Sequence, residues 1–170
     1  THVAGIVPAQ AGNGLGGVGV AFNVQLMAIK AAQYSGVFAA SHIAQGIYCA
    51  IENGADIINM SFGGYGHSLV EEDALAVAIG SAVLVAAAGN DGNPNLPYIY
   101  GRDMYPAAYN WVLGVMAHGG DNNLAPWSNC DFGPQDSSEY ELSAPGVGIL
   151  STLPGGQYAA WSGTSMAAPM

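Results

Sequence analysis

The stretch IINMSFGGYGHSLVEEDALAVAIGSAVLVAAAGN, residues 57–90, decides the fold. Ile57-Ile58-Asn59-Met60 and Val83-Leu84-Val85-Ala86-Ala87 are short apolar runs of the kind buried strands have. Between them, Ser68-Leu69-Val70-Glu71 has the spacing of a capping box, which opens a helix. Val70, Ala74, Val77 and Ala78 continue it on one face, and Gly80 closes it. A strand, a helix and a strand joined by short connections make a βαβ unit, and βαβ units build a parallel sheet.

The same alternation extends outward. Ile43, Ile47, Ala50 and Ile51 recur at helical spacing from about Ala39 to Asn53, and Gly54 is placed to stop that helix. Val24 to Ile29 is expected to be an earlier buried strand, and Trp111 to Met116 a fourth. From Gly119 to Gln157, Pro, Gly, Asn and Asp punctuate short extended pieces within loops. The expectation is one α/β domain over residues 1–170, with three layers and a mostly parallel sheet. Parallel sheets place function at the C-terminal ends of their strands. Ser61-Phe62-Gly63-Gly64, Ala88-Gly89-Asn90-Asp91-Gly92 and Gly163-Thr164-Ser165 all fall at that rim.

Composition narrows the partners. The 170 residues are 51% hydrophobic and 8% charged, with a formal net charge of −10. Lys30 and Arg102 are the basic residues, so neither nucleic acid nor an anionic membrane surface is an expected partner. No run approaches the roughly 18 uninterrupted apolar residues of a membrane span. Every Asp and Glu lies at or after Glu52, which makes the first third interior-rich. Cys49 and Cys130 lack CxxC spacing, which argues against a metal or redox site. Buried free thiols are the favoured reading, with one disulfide as the alternative. The acidic, lysine-poor composition suits a secreted protein.

Chemistry concentrates in Gly163-Thr164-Ser165-Met166-Ala167-Ala168-Pro169. A small, flexible pair presents one serine at the start of an Ala-rich helical stretch, where backbone N–H groups favour negative charge. Two other patterns are weaker. Gly12 to Gly17 satisfies G-x-G-x-x-G, but Pro8 interrupts the preceding segment and no acid follows at dinucleotide spacing. Gly163-x-Ser165-x-Ala167 is a degenerate nucleophile elbow, a motif whose acid and histidine follow the serine. His2, His42, His67 and His118 have no Cys or carboxylate at ligand spacing, so a zinc site is not expected.

Together these segments resemble the subtilisin-like serine proteases. Thr1-His2-Val3-Ala4-Gly5 resembles the tail of that family's histidine box. Ile57 to Gly64 resembles a substrate-pocket strand, and Ala86 to Asn90 the oxyanion-hole loop. Tyr105-Pro106-Ala107-Ala108 and Leu142-Ser143-Ala144-Pro145-Gly146 resemble further landmarks, and Gly163 to Pro169 the nucleophile box. The resemblance implies a subtilisin-like α/β fold, incomplete at both ends, and a serine endopeptidase acting on extended peptide or protein substrate as a monomer.

Ser165 then matches the nucleophile and Asn90 the side-chain donor of the oxyanion hole. Ser61, Phe62 and Gly63 match one wall of the pocket for the side chain before the scissile bond. Ala87, Ala88 and Gly89 match the other wall. Gly36, Val37 and Phe38 match the edge that pairs with substrate by strand addition. The apolar walls favour a neutral, apolar or aromatic side chain, with Asp91 and Asp103 placed near the far end.

No cofactor is required. Calcium is possible as a structural ion near Gly12 to Gly17, a loop whose only side-chain oxygen is that of Asn13. The family's catalytic His falls two residues before Thr1 and its Asp further upstream, so His2 takes a structural role. The segment alone is therefore expected to be inactive, and either poorly soluble or loosely packed. The alternative is a pseudoprotease that binds extended peptides without cutting them.

Overall fold

The computed structural model describes residues 1–33, 36–92, 103–131 and 140–170. Arg102 and residues 132–139 of the expected loop region lie outside the described residues. The elements are α1 (His2–Ile6), α2 (Ala40–Glu52), β1 (Ile57–Met60), α3 (Leu69–Ala78), β2 (Val83–Ala87), β3 (Leu113–His118), β4 (Leu142–Pro145), β5 (Ile149–Leu153), β6 (Gln157–Trp161) and α4 (Thr164–Ala167). β1 to β4 form one sheet in chain order, and every pairing in it is parallel. β5 and β6 form a separate antiparallel hairpin.

The strand period of two divides the sheet's side chains between two helical layers. Leu84 and Ala86 of β2 join Met60 and the buried faces of α2 and α3 in the larger core. Val85 and Ala87 of the same strand pack on the opposite side with Val115, Ala117, Ala167 and Ala168. The expected α/β architecture is therefore present, with α2 and α3 in one layer and α4 in the other.

Three local expectations need correction. Val24 to Ile29 is not a strand: it makes no ladder among the described residues. Its side chains are well exposed, with Leu26 at 52%, and Ile29 leans on α2 beside Gly46. An apolar run reads as a buried strand only if a neighbour supplies hydrogen bonds and cover, and neither is encoded in the run itself. β3 starts two residues later than Trp111, because Val112 N–H closes a turn onto Tyr109 O at 2.9 Å. The buried face of α3 is Glu71, Ala74, Leu75 and Ala78, whereas Val70 and Val77 are more than half exposed. Apolar residues are spread around α3 with Glu71, Glu72 and Asp73 between them, so its periodicity did not select a face.

The capping box at α3 forms only in half. Ser68 Oγ accepts the Glu71 N–H at 3.4 Å. The Ser68 N–H instead donates to Tyr109 Oη at 3.2 Å, and Tyr109 Oη donates to Ser68 O at 3.0 Å. Displaced from the cap, the Glu71 carboxyl turns inward. The residue is 5% exposed, and Oε1 has no hydrogen-bond partner. Burial pushes its pKa up to about 7, only partly opposed by the positive charge of His67.

A carboxyl with a raised folded-state pKa favours the native state while both states are protonated. That advantage is lost as pH rises from the unfolded value through about 7. Glu71→Gln should abolish this dependence. Its stability advantage over the parent should grow between pH 5 and pH 8 to about 3 kcal/mol. Parallel melting curves for the two proteins across that range would contradict the assignment.

Candidate active site

The parallel pairing of β1 with β2, Met60 opposite Ala86, brings the two following loops side by side. Ser61, Phe62 and Gly63 leave β1, and Ala87, Ala88 and Gly89 carry β2 to its end, with Ala87 and Ala88 buried. Ala88 N–H donates to Val115 O at 3.0 Å, which fixes the second loop to β3. The first loop is fixed from the other side: Gly64 and Tyr105 exchange both backbone hydrogen bonds, at 2.9 and 2.8 Å.

Ser165 lies in the first turn of α4, and two reciprocal contacts tie it to the first loop. Ser165 Oγ donates to Ser61 O at 3.1 Å, and Ser61 Oγ donates to Ser165 O at 2.9 Å. Asn59 Nδ2 donates in turn to Ser61 Oγ at 2.9 Å. The Ser165 hydroxyl proton is thus directed at a carbonyl. Among the described residues no imidazole accepts it, and each histidine is placed elsewhere. His2 is 3% exposed, donates from Nε2 to Ala159 O at 3.0 Å and stacks on Trp161 at 4.5 Å, which fits a structural role. His67 pairs with Glu72 at 2.9 Å, and His118 meets Gly119 O through Nδ1 at 2.8 Å. His42 sits on α2 beside the 28–33 segment, where it lines a groove of about 480 Å³.

Asn90 meets the Ser165 turn through its side chain. Asn90 Oδ1 accepts the Thr164 N–H at 2.8 Å and the Thr164 hydroxyl at 3.0 Å. Thr164 Oγ1 also accepts the Gly89 N–H at 3.1 Å, so one buried threonine ties the loop after β2 to the serine turn. A backbone N–H can only donate, so the contact from Thr164 N settles which end of the amide is oxygen. Asn90 is an exposed residue, and no hydrogen bond engages its Nδ2 among the described residues.

The remaining expected residues gather at the same rim. Phe38 stacks on Phe62 with ring centroids 4.4 Å apart, which joins the Gly36–Phe38 segment to the first wall. Gly36 has φ +80°, a left-handed conformation that glycine adopts without strain, and Val37 is 59% exposed. Asp91 and Asp103 are both engaged. Asp91 accepts the Tyr65 hydroxyl at 2.7 Å, and Asp103 accepts that of Tyr105 at 3.1 Å.

Outside this rim, the Gly12–Gly17 loop fits calcium poorly. It has no carboxylate, and Asn13 Oδ1 already accepts the Leu15 N–H at 2.9 Å. No group of three His, Cys, Asp or Glu side chains is placed to hold a metal among the described residues. Cys49 is exposed rather than buried, and no disulfide joins it to Cys130. No described helix is long and apolar enough to cross a membrane.

The sequence reading missed Asn59, Thr164 and Met104. Thr164 stands inside the motif, but a threonine before a serine does not announce that it anchors an amide 74 positions away. Met104 touches both walls, and no sequence pattern marks it.

The chain is similar to known proteins. The profile of the subtilase family matches residues 1–170. The chain is 41% identical over 170 residues to "Subtilisin E" of Bacillus subtilis (strain 168), covering 99% of this chain and 42% of that protein. It is 42% identical to an "Intracellular serine protease" of Paenibacillus polymyxa, covering 99% of this chain and 49% of that protein. Among solved structures, "Sphericase" superposes with a TM-score of 0.88 at 30% identity, covering 99% of this chain and 59% of that one. The segment thus spans about two-fifths to three-fifths of the length of these relatives. The chain belongs to the subtilase family, whose relatives here are serine proteases.

Proposed function

We propose that the protein carrying this segment is a serine endopeptidase in which Ser165 is the nucleophile and Asn90 an oxyanion-hole donor. The clamp of Asn90 Oδ1 by Thr164 carries this reading, because it leaves Nδ2 pre-aimed beside the serine turn. Catalysis gains most from donors held ready where charge develops, since they need no reorganisation during reaction. The N–H of Ser165, in the first turn of α4, is among the helix donors that lack an intrahelical partner, and it supplies the second contact. Attack by Ser165 Oγ needs a base to take its proton, and a carbonyl such as Ser61 O cannot serve. The base must come from outside residues 1–170, because their four histidines are placed elsewhere.

Substrate is an extended peptide. Its backbone pairs with Gly36–Phe38, and its side chain before the scissile bond enters between Ser61–Gly63 and Ala87–Gly89. The acidic, lysine-poor composition favours secretion. The reading needs no cofactor, and the protein acts as a monomer. The full-length protein should hydrolyse internal bonds of unfolded casein, and the isolated 170-residue segment should not. Cleavage by the segment itself, abolished by Ser165→Ala, would refute the claim that it lacks a base. Peptide binding without cleavage by the full-length protein would establish the pseudoprotease instead.

A further inference from the structure

The two walls of the proposed pocket each contain a glycine, and the Met104 side chain lies against both, beside Tyr105 O at Gly63 and Asn129 at Gly89. A Cβ built on Gly63 would lie 3.0 Å from Met104 Cγ and 3.0 Å from Met104 Sδ. A Cβ built on Gly89 would lie 2.6 Å from Met104 Cε. The thioether therefore runs from the first wall to the second, its sulfur against Gly63 and its methyl against Gly89. Met104 is 6% exposed and belongs to the same buried cluster as Ala88, Ala107 and Tyr140.

Its backbone is equally fixed. Met104 N–H donates to Tyr140 Oη at 3.2 Å. The next residue, Tyr105, is stapled to Gly64 by two backbone hydrogen bonds. Gly89 is further constrained by Asn129, whose Nδ2 would lie 2.4 Å from an added Cβ.

We propose that Met104 is the specificity-determining residue of this protease: by filling the space between Gly63 and Gly89 it restricts the substrate side chain before the scissile bond to Gly, Ala or Ser. The inference rests on the endopeptidase reading for the position of the substrate, and it narrows the apolar or aromatic preference that the walls alone suggest. A methyl group demands little of the space that Met104 occupies. A phenyl ring requires that side chain to leave the core, with loss of its dispersion contacts. Methionine is unbranched and adaptable, so a displaced Met104 is the physical alternative. A difference of one methylene in an apolar pocket is worth about 10- to 200-fold in kcat/KM.

The experiment uses the full-length protein and peptides that differ only in Ala or Phe before the scissile bond. The wild type should cleave the Ala peptide at least tenfold faster in kcat/KM. Met104→Gly should improve the Phe-to-Ala ratio at least tenfold, and Met104→Leu should leave the wild-type order intact. Equal or faster cleavage of the Phe peptide by the wild type would overturn the proposal, as would an unchanged ratio in Met104→Gly. A second arm does not depend on turnover. Peptides ending in Ala or Phe with a free carboxyl group are titrated calorimetrically into the Ser165→Ala protein. Tenfold tighter binding of the Ala peptide supports the plugged pocket even if hydrolysis is absent, a result that would count against the endopeptidase reading alone. Equal binding, or none, overturns the plug.

Discussion

Ser165→Ala in the full-length protein should lower kcat by about a millionfold, the figure known for the nucleophile of subtilisin, a relative of this chain. The loss is large because the serine acts as one unit with its base. Residual hydrolysis of about 10³-fold over water should survive, since Asn90 and the substrate contacts remain. The variant must also be shown to fold. Its missing hydroxyl costs one hydrogen bond, to Ser61 O, worth about 1 kcal/mol. A melting temperature within a few degrees of the parent, together with abolished turnover, separates a chemical role from a structural one. Retained turnover at more than one per cent of the parent rate would remove Ser165 from the mechanism.

Asn90→Asp should lower kcat by about 100- to 1,000-fold with KM little changed, the range known for the subtilisin asparagine. Aspartate keeps an oxygen to accept the Thr164 N–H and hydroxyl, so the clamp survives while the donor is lost. Its charge would also oppose the developing oxyanion. The split between kcat and KM is the informative readout, because a donor used only in the transition state leaves ground-state binding alone. Thr164→Val provides a second view. It retains the shape of a fully buried side chain but removes the hydroxyl that joins Gly89 N–H to Asn90 Oδ1. Asn90 should then lose one of its two anchors, and kcat should fall about tenfold with the preference between peptides unchanged. A rise in KM with kcat preserved would make Asn90 a substrate-binding residue rather than an oxyanion donor.

These residues differ in how openly the sequence displays them. β1, β2 and α2 were legible because their signals are local: short apolar runs, Ile43 and Ile47 four apart, and Gly54 at φ +75° after the helix. Ser68 was legible as a cap for the same reason, and its oxygen does accept the Glu71 N–H. The partner half of that box was not. Tyr109 lies 41 residues away, and it takes the hydrogen bond to Ser68 N–H that Glu71 would otherwise make. One distant tyrosine thereby leaves a carboxyl buried without a partner for Oε1.

Val24 to Ile29 failed for a related reason, since a strand is defined by its neighbours as much as by its own residues. At the site, Ser165 and Asn90 stood out because each sits in a distinctive short motif. Thr164, which orients Asn90, and Met104, which spans Gly63 and Gly89, carry their roles only through contacts across the fold.

The most direct test of the account is covalent. The full-length protein should react stoichiometrically with a fluorophosphonate, and peptide mass mapping should place the phosphonyl group on Ser165. Asn90→Asp should slow the labelling by about 100-fold or more, because the phosphonylated serine draws on the same oxyanion donor. Labelling of another serine, or labelling of Ser165 at an undiminished rate in Asn90→Asp, would contradict the pairing of Ser165 with Asn90.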